Sequence, residues 1–155
     1  MERIKKTISF LIDKFNQSEY LNNHPDAKRY RLEHTFRVAN IGKVIAEKEG
    51  FDIEALVVAC LLHDISYIYE FKTDEDWKNH GRLSAKIARP FVESLQFSKE
   101  VENDILYGIA IHVDDQADFE GVKTPFAKCL SDADNIDRFD AYRIFEALKY
   151  ARYSY

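Results

Sequence analysis

Apolar residues recur at intervals of three and four along most of this chain, which is the period of an amphipathic helix. Val38, Ile41 and Ile45 form one such stripe. The chain has 155 residues but only 5 Gly and 3 Pro, so it lacks the turn residues that an all-β chain needs. We therefore expect an all-α fold in one domain over residues 1–155. The predicted helices cover about residues 2–17, 28–49, 53–65, 76–95, 98–113, 122–134 and 138–152.

Several polar residues continue these apolar stripes and are therefore predicted to face the core. His34 precedes Val38 by four positions, and His63 follows Cys60 by three. A lone histidine on an apolar face is usually a core residue bonded to a carbonyl, but an unpaired buried carboxylate is costly. A shared cation would account for the whole set, since imidazole and carboxylate are ligands of Zn, Mn and Fe. The set is His34, His63, Asp64, His80, His112 and Asp134.

His63 and Asp64 are adjacent, which restricts where they can lie. Neighbouring side chains on a helix point about 100° apart, so both reach one site only near a helix end or bend. Ser66, Tyr67 and the charged stretch after them favour a helix end at this point. Structural metal sites are usually closed and rich in cysteine. A set of nitrogen and oxygen donors at a helix end instead predicts an open, catalytic site.

Three segments of the chain, RLEHTFRVA, ACLLHDIS and CLSDADNID, resemble in this order the motifs of the HD-domain superfamily of metal-dependent phosphohydrolases. The resemblance covers about residues 28–140 and implies a compact bundle of about six to seven helices, similar to small stand-alone HD hydrolases. The segment ADNI, which contains Asp134, fits the family's closing motif, and Asp132 stays the alternative. The core metal ligands that the resemblance implies are His34, His63, Asp64 and Asp134.

His80 and His112 lie in contexts that resemble the two additional histidines of HD proteins with two metal ions. In such members the counterpart of Asp64 bridges the ions. The alternative is a single ion, with the two histidines bonded to substrate phosphate. The implied cofactor is one or two divalent transition-metal ions, namely Mn, Fe, Ni, Co or Zn, with Mg also possible.

The resemblance implies an enzyme that cleaves a phosphoester or phosphoanhydride of a small phosphorylated metabolite, with a nucleotide favoured, through a metal-activated water. The implied catalytic residues are Asp64, His80 and His112. Asp64 would position the water, and the two histidines would hold a second ion or donate to phosphate and the leaving group. The candidate substrate-binding residues are Arg31, Tyr67 and Asp137.

Some of these residues have open alternatives. Asp137 could contact a ribose hydroxyl or support a metal ligand. Arg31 and Arg37 are candidate phosphate clamps, but helical arginines are more often the partners of acidic residues in surface salt bridges.

The sequence also departs from the family pattern. Many members have lysine in place of Tyr67 and glycine in place of Ser66, and the Gly-Tyr-Pro signature of cyclic-dinucleotide enzymes is missing. That substrate class is therefore disfavoured. Two other functions use this fold: a mixed-valence di-iron oxygenase and a non-catalytic, nucleotide-binding regulatory domain. Substrate specificity is expected from loops at about 66–80 and 113–122.

Charge and composition limit the partners. The net charge is -5 with acidic and basic residues interspersed, so duplex nucleic acid held by its phosphates is not expected. The N-terminal segment is too short and too charged for a membrane span. Cys60 and Cys129 lie in apolar runs typical of buried, reduced thiols. We expect a cytoplasmic protein, a monomer or homodimer, that binds a small phosphorylated substrate and no membrane.

Overall fold

The computed structural model describes residues 1–139, together with residues 144 and 148, and these residues form helices and no strand. The all-α prediction is therefore confirmed. Most of the predicted helix over 138–152 lies outside the described residues. None of the helices in the described part of the chain has the length and apolar character required to cross a bilayer. The helices are α1 (Glu2–Gln17), α2 (Glu19–Asn23), α3 (Pro25–Glu49), α4 (Ile53–Leu62), α5 (Asp74–Ser94), α6 (Lys99–Ile111) and α7 (Pro125–Arg138).

Several helices differ from the prediction. α3 begins at Pro25, three residues early, because proline is favoured in the first turn of a helix. α7 begins at Pro125 and extends to Arg138, four residues past its predicted end. This extension places Asp137 on the same helix as Asp134. The sequence does not predict α2, since its five residues are too few to show a period.

Helix α4 forms the centre of the core. Its eight residues Ala55–Leu62 are all buried, as expected for a helix that is apolar all round. It packs against α1, α3, α6 and α7, while α5 packs on α6. The polar residues that follow α4 therefore start from the interior of the molecule.

The His63-Asp64 pair lies at the end of α4, as the sequence predicts, although the helix ends at Leu62 rather than at residue 65. His63 keeps helical backbone angles (φ −57°, ψ −38°), whereas Asp64 leaves them (φ −106°, ψ 16°). A short 3₁₀ helix, Ile65–Ile68, then begins. The change of direction allows two adjacent side chains to reach one site.

Ser66 fixes the 3₁₀ helix to α5. Its backbone N–H donates to Oγ of Ser84 (3.1 Å), and its hydroxyl donates to the carbonyl oxygen of His80 (3.0 Å). A glycine, which many HD proteins have at this position, could not make the second bond. The serine therefore links the segment after His63-Asp64 to the turn of α5 that carries His80.

Candidate metal centre

The six inward polar residues predicted from the sequence come together at one place. Each is buried, with at most 6% of its surface exposed. They are supplied by five helices and their ends: α3 gives His34, the end of α4 gives His63 and Asp64, α5 gives His80, the end of α6 gives His112, and α7 gives Asp134.

The four histidines are oriented in the same way. His63, His80 and His112 each donate Nδ1–H to the carbonyl oxygen of the residue three positions earlier, at 2.7, 2.5 and 2.7 Å. Nδ1 of His34 lies 2.7 Å from Oδ2 of Asp137. Because a carbonyl or carboxylate oxygen accepts, Nδ1 carries the proton in every ring. Each ring then directs Nε2 toward the centre, which is how metal-binding histidines are held.

One half of the centre is built by His34, His63, Asp64 and Asp134. The Nε2 atoms of His34 and His63 are 3.3 Å apart. Oδ2 of Asp64 lies 3.5 and 3.6 Å from these two nitrogens. Oδ1 of Asp134 lies 3.2 Å from Nε2 of His34 and is buried, and the described part of the chain supplies no aligned hydrogen-bond donor to it. Such an oxygen needs a cation, since burial of an unsatisfied carboxylate is costly.

The other half is built by Asp64, His80 and His112. The Nε2 atoms of the two histidines are 3.1 Å apart, too close for two facing lone pairs without a proton or metal ion between them. Oδ1 of Asp64 lies 3.3 Å from Nε2 of His80 and 3.6 Å from Nε2 of His112. The two oxygens of Asp64 therefore face two different histidine pairs, the arrangement that a bridging carboxylate requires.

The charge states of these groups suit a metal ion. Burial lowers the pKa of His63 to about 4, so its ring is neutral. Burial would raise the pKa of Asp64, but the surrounding histidines and Arg31 hold it well below its ordinary value. Burial also opposes ionisation of Asp134, yet its contacts with His34 and His63 lower its pKa to about 2. The ionised carboxylates and the neutral ring of His63, with no thiol among the six residues, fit a divalent transition metal.

Arg31 and Tyr67 lie at the edge of the centre, as two of the predicted substrate-binding residues. Nη1 of Arg31 donates to Oδ2 of Asp64 (3.2 Å), and its guanidinium carbon lies 3.3 Å from the centroid of the Tyr67 ring. That ring in turn lies 5.2 Å from the ring of His80. Burial raises the pKa of Tyr67, so its hydroxyl stays protonated and can donate.

Asp137, the third predicted substrate-binding residue, lies behind His34. Its carboxylate is bonded to His34 and to Arg37, whose Nε donates to Oδ1 at 2.7 Å. This geometry favours the supporting role for Asp137 and the salt-bridge role for Arg37 among the alternatives. A contact of Asp137 with substrate stays a prediction.

The two neighbouring aspartates differ in burial, while Asp134 as the last metal ligand stays a prediction, and one further residue contacts the centre. Asp132 is exposed and lies away from the centre, whereas Asp134 is buried in it. Arg138, which the sequence analysis missed, places Nη2 3.2 Å from Oδ2 of Asp134. Its position four residues after Asp134 on one helix is the signal that could have found it. Cys60 and Cys129 are buried, free thiols, as expected.

Three comparisons with known proteins bear on this centre. The HD domain family profile matches residues 31–138, which include all six clustered residues. Ribonuclease Y of Mycoplasma capricolum subsp. capricolum and that of Mycoplasma mycoides subsp. mycoides SC are each 34% identical over 89 residues, spanning 52% of this chain and only 17% of each ribonuclease. The crystal structure of a predicted HD superfamily hydrolase from an uncultured Thermotogales bacterium has a TM-score of 0.69 and 23% identity, covering 94% of this chain and 74% of that one. The last comparison shows a shared fold.

Proposed function

This chain belongs to the HD-domain family, and from that premise we propose that it is a metal-dependent phosphohydrolase. Its substrate is a phosphoester or phosphoanhydride of a small phosphorylated metabolite, with a nucleotide as the favoured case. The observation that carries the proposal is the position of Asp64, whose two oxygens face the His34–His63 and His80–His112 pairs separately.

The surroundings of the centre favour catalysis over a structural ion. Structural sites are usually filled by four protein ligands, often thiolates. Here two cations, Arg31 and Arg138, contact the ligand carboxylates from outside, and Arg138 is about half exposed. Guanidinium groups at the edge of a metal centre suit an anionic ligand such as phosphate, which they can bind in a bidentate manner.

The side chains have separable tasks in hydrolysis. A divalent ion, when bound by this set, lowers the pKa of a coordinated water and neutralises charge on a phosphate oxygen. Asp64, held ionised by Arg31 and the histidines, can accept a hydrogen bond from the attacking water and orient it. Arg31 and the protonated hydroxyl of Tyr67 can donate to phosphate oxygens as charge develops on them.

The comparison with Ribonuclease Y supports a second substrate class, a phosphodiester of RNA, for the same chemistry. The net charge of -5 argues against extensive contacts with a phosphate backbone. A short oligonucleotide held mainly at the metal centre would need few such contacts. We therefore keep RNA as one arm of the test and a small nucleotide as the main proposal.

The test is phosphate release by the purified full chain, stripped with chelator and reloaded with Mn, Mg, Co or Ni. The substrates are nucleotides, dinucleoside polyphosphates, sugar phosphates and a short RNA whose cleavage is followed by electrophoresis. We expect turnover with at least one metal, and its loss in His63→Ala and Asp64→Ala. Full metal content and full turnover in either variant would show that the site is misassigned. Bound iron as an antiferromagnetically coupled pair, with no cleavage of any substrate, would favour the oxygenase instead.

A further inference from the structure

An aromatic recess of about 140 Å³ opens beside the metal centre. It lies between α2, the start of α3, the 3₁₀ helix and the start of α5. Nine of the residues that the structure describes line it; six of these are aromatic, and Arg31 is the charged one among them. The aromatic residues are Tyr20, Tyr30, Tyr67, Tyr69, Phe71 and Trp77.

The recess shares a wall with the metal centre. Arg31 and Tyr67 line the recess, and the same Arg31 guanidinium donates to Oδ2 of Asp64 at 3.2 Å. The guanidinium carbon of Arg31 lies 3.3 Å from the centroid of the Tyr67 ring and 5.4 Å from that of Tyr30. A ligand whose anionic end lies at the metal centre would therefore extend past Arg31, and its other end would lie in the aromatic recess.

Two of the six aromatic rings that line the recess are exposed. Trp77 is 46% exposed and Tyr69 is 54% exposed. Trp77 also packs edge-on against Phe71, with centroids 5.4 Å apart and planes at 82°. Exposed aromatic rings beside a site offer flat faces for a planar ligand, since their stacking surface is otherwise left in water.

The size of the recess limits what it holds. Sites that enclose a whole drug-sized ligand usually measure about 300–1,000 Å³. At about 140 Å³ this recess accommodates one ring system and leaves the rest of the ligand outside. The metal centre next to it is polar and would take the charged remainder. Tyrosine hydroxyls of the lining can each donate and accept a hydrogen bond, as the edge of a heterocycle requires.

We propose that this recess binds the nucleobase of a nucleoside phosphate whose phosphate group lies at the metal centre. The proposal rests on the phosphohydrolase function and specifies its substrate class. Arg31 lies at the junction of the two parts, where it contacts both the base-binding wall and the phosphate. Trp77 and Tyr69 stack on the base at the mouth of the recess.

The first experiment measures binding without relying on turnover. Trp77 is the single tryptophan of the chain, so its fluorescence, excited at wavelengths where nucleotides do not absorb, reports on the recess alone. We expect saturable quenching of the Mn-loaded full chain by AMP and none by ribose 5-phosphate, which has the same sugar phosphate and no base. Equal responses to the two ligands, or no response to AMP, would overturn the proposal.

The second experiment measures specificity. We expect Trp77→Ala and Tyr69→Ala to lower the ratio of kcat/KM for AMP over ribose 5-phosphate by roughly 5- to 150-fold, the usual effect of losing one stacked base. Trp77→Phe keeps a ring and should restore most of the ratio, which separates stacking from damage to the fold. Val44→Ala, at a 53% exposed position on α3, is the unchanged control. An unchanged ratio in both alanine variants would reject the recess.

The two proposals fail in different ways. Quenching by AMP without release of phosphate from any substrate would leave the base site standing and reject the hydrolase. Equal hydrolysis of AMP and ribose 5-phosphate, with no change in Trp77 fluorescence, would leave the hydrolase standing and reject the base site.

Discussion

At the scale of single residues, the position of Asp64 bears on whether the six side chains of the metal centre hold one ion or two. One of its oxygens faces His34 and His63, and the other faces His80 and His112, at 3.3–3.6 Å in each case. Oδ2 also accepts a hydrogen bond from Arg31, yet each oxygen still faces its own pair of imidazole nitrogens. This arrangement favours two ions over the single-ion alternative.

Asp64→Asn tests this position, because it keeps the shape of the side chain and removes its charge. We expect less bound metal and a fall in turnover greater than the roughly 10–100-fold that loss of a supporting residue costs. Metal per chain is measured by elemental mass spectrometry, and turnover by phosphate release. Asp13→Asn, at an exposed position of α1, is the matched control. A variant that keeps both full metal and full rate would exclude Asp64 as a ligand.

Asp137→Ala tests the support of His34. Without this acceptor the ring of His34 loses its fixed orientation, and Arg37 loses a bonded partner. We expect metal affinity to fall by roughly 10–100-fold, measured by competition with a chelator dye. Asp132→Ala, exposed and away from the centre, should change nothing. A raised KM with unchanged metal affinity would instead assign Asp137 to substrate contact.

At the scale of helices, the second half of the centre depends on how closely α5 approaches α6. A Cβ on Gly81 would lie 2.7 Å from the carbonyl oxygen of Ala110 and 2.9 Å from that of Ile109. These contacts are with backbone, which cannot move aside as a flexible side chain can. Since Gly81 follows His80 directly, and His112 follows Ile111 at the end of α6, this contact sets the distance between the two histidines.

Gly81→Ala should therefore separate the helices and cost about 1–3 kcal/mol of unfolding free energy, as overpacking usually does. We also expect one metal ion per chain to be lost while the ion at His34 and His63 is retained. Urea unfolding and metal analysis measure the two effects. Gly50→Ala is the control: its positive φ of 75° makes alanine strained by about 1–2 kcal/mol, yet the added Cβ would meet no atom of the described residues within 4 Å. It should lose stability and keep both ions.

At the scale of the whole molecule, the metal centre is the point where α3, α4, α5, α6 and α7 meet. Buried carboxylates and facing nitrogen lone pairs repel one another without a cation, so the centre opposes folding when empty and supports it when filled. Each helix supplies at least one ligand candidate. A bound ion therefore links elements that are distant along the chain, and its free energy of binding adds to the stability of the whole fold.

Removal of metal should accordingly lower the melting temperature. At a free metal concentration 100 times Kd, binding adds about 2.7 kcal/mol to the unfolding free energy. For a chain of this length that corresponds to roughly 5–10 °C. Differential scanning calorimetry of chelated and Mn-reloaded protein measures the shift, and His63→Ala should show little of it. An equal melting temperature with and without metal would exclude an ion at this centre under the conditions used.

Much of the site could be predicted from the sequence, because helical periodicity relates residue spacing to direction. His34, His63, His112 and Asp134 each continue an apolar stripe by steps of three or four, and burial is the result. The preference for Asp134 over Asp132 came from the resemblance of ADNI to the closing motif of the family. The partners of the Nδ1 atoms could not all be predicted in this way. Three are local carbonyls, but the partner of His34 is 103 residues away along the chain.

The sequence by itself determined that the chain is helical and which polar side chains face inward, since both follow from local period and composition. Only the tertiary structure decided how those side chains meet: that Asp64 faces two histidine pairs, that Asp137 supports His34, and that Arg31 stacks on Tyr67. The aromatic recess is also a feature that only the tertiary structure decides, because residues from four separate elements line it. Periodicity fixes the direction of a side chain from its own helix axis, whereas distances between helices depend on packing of the entire core.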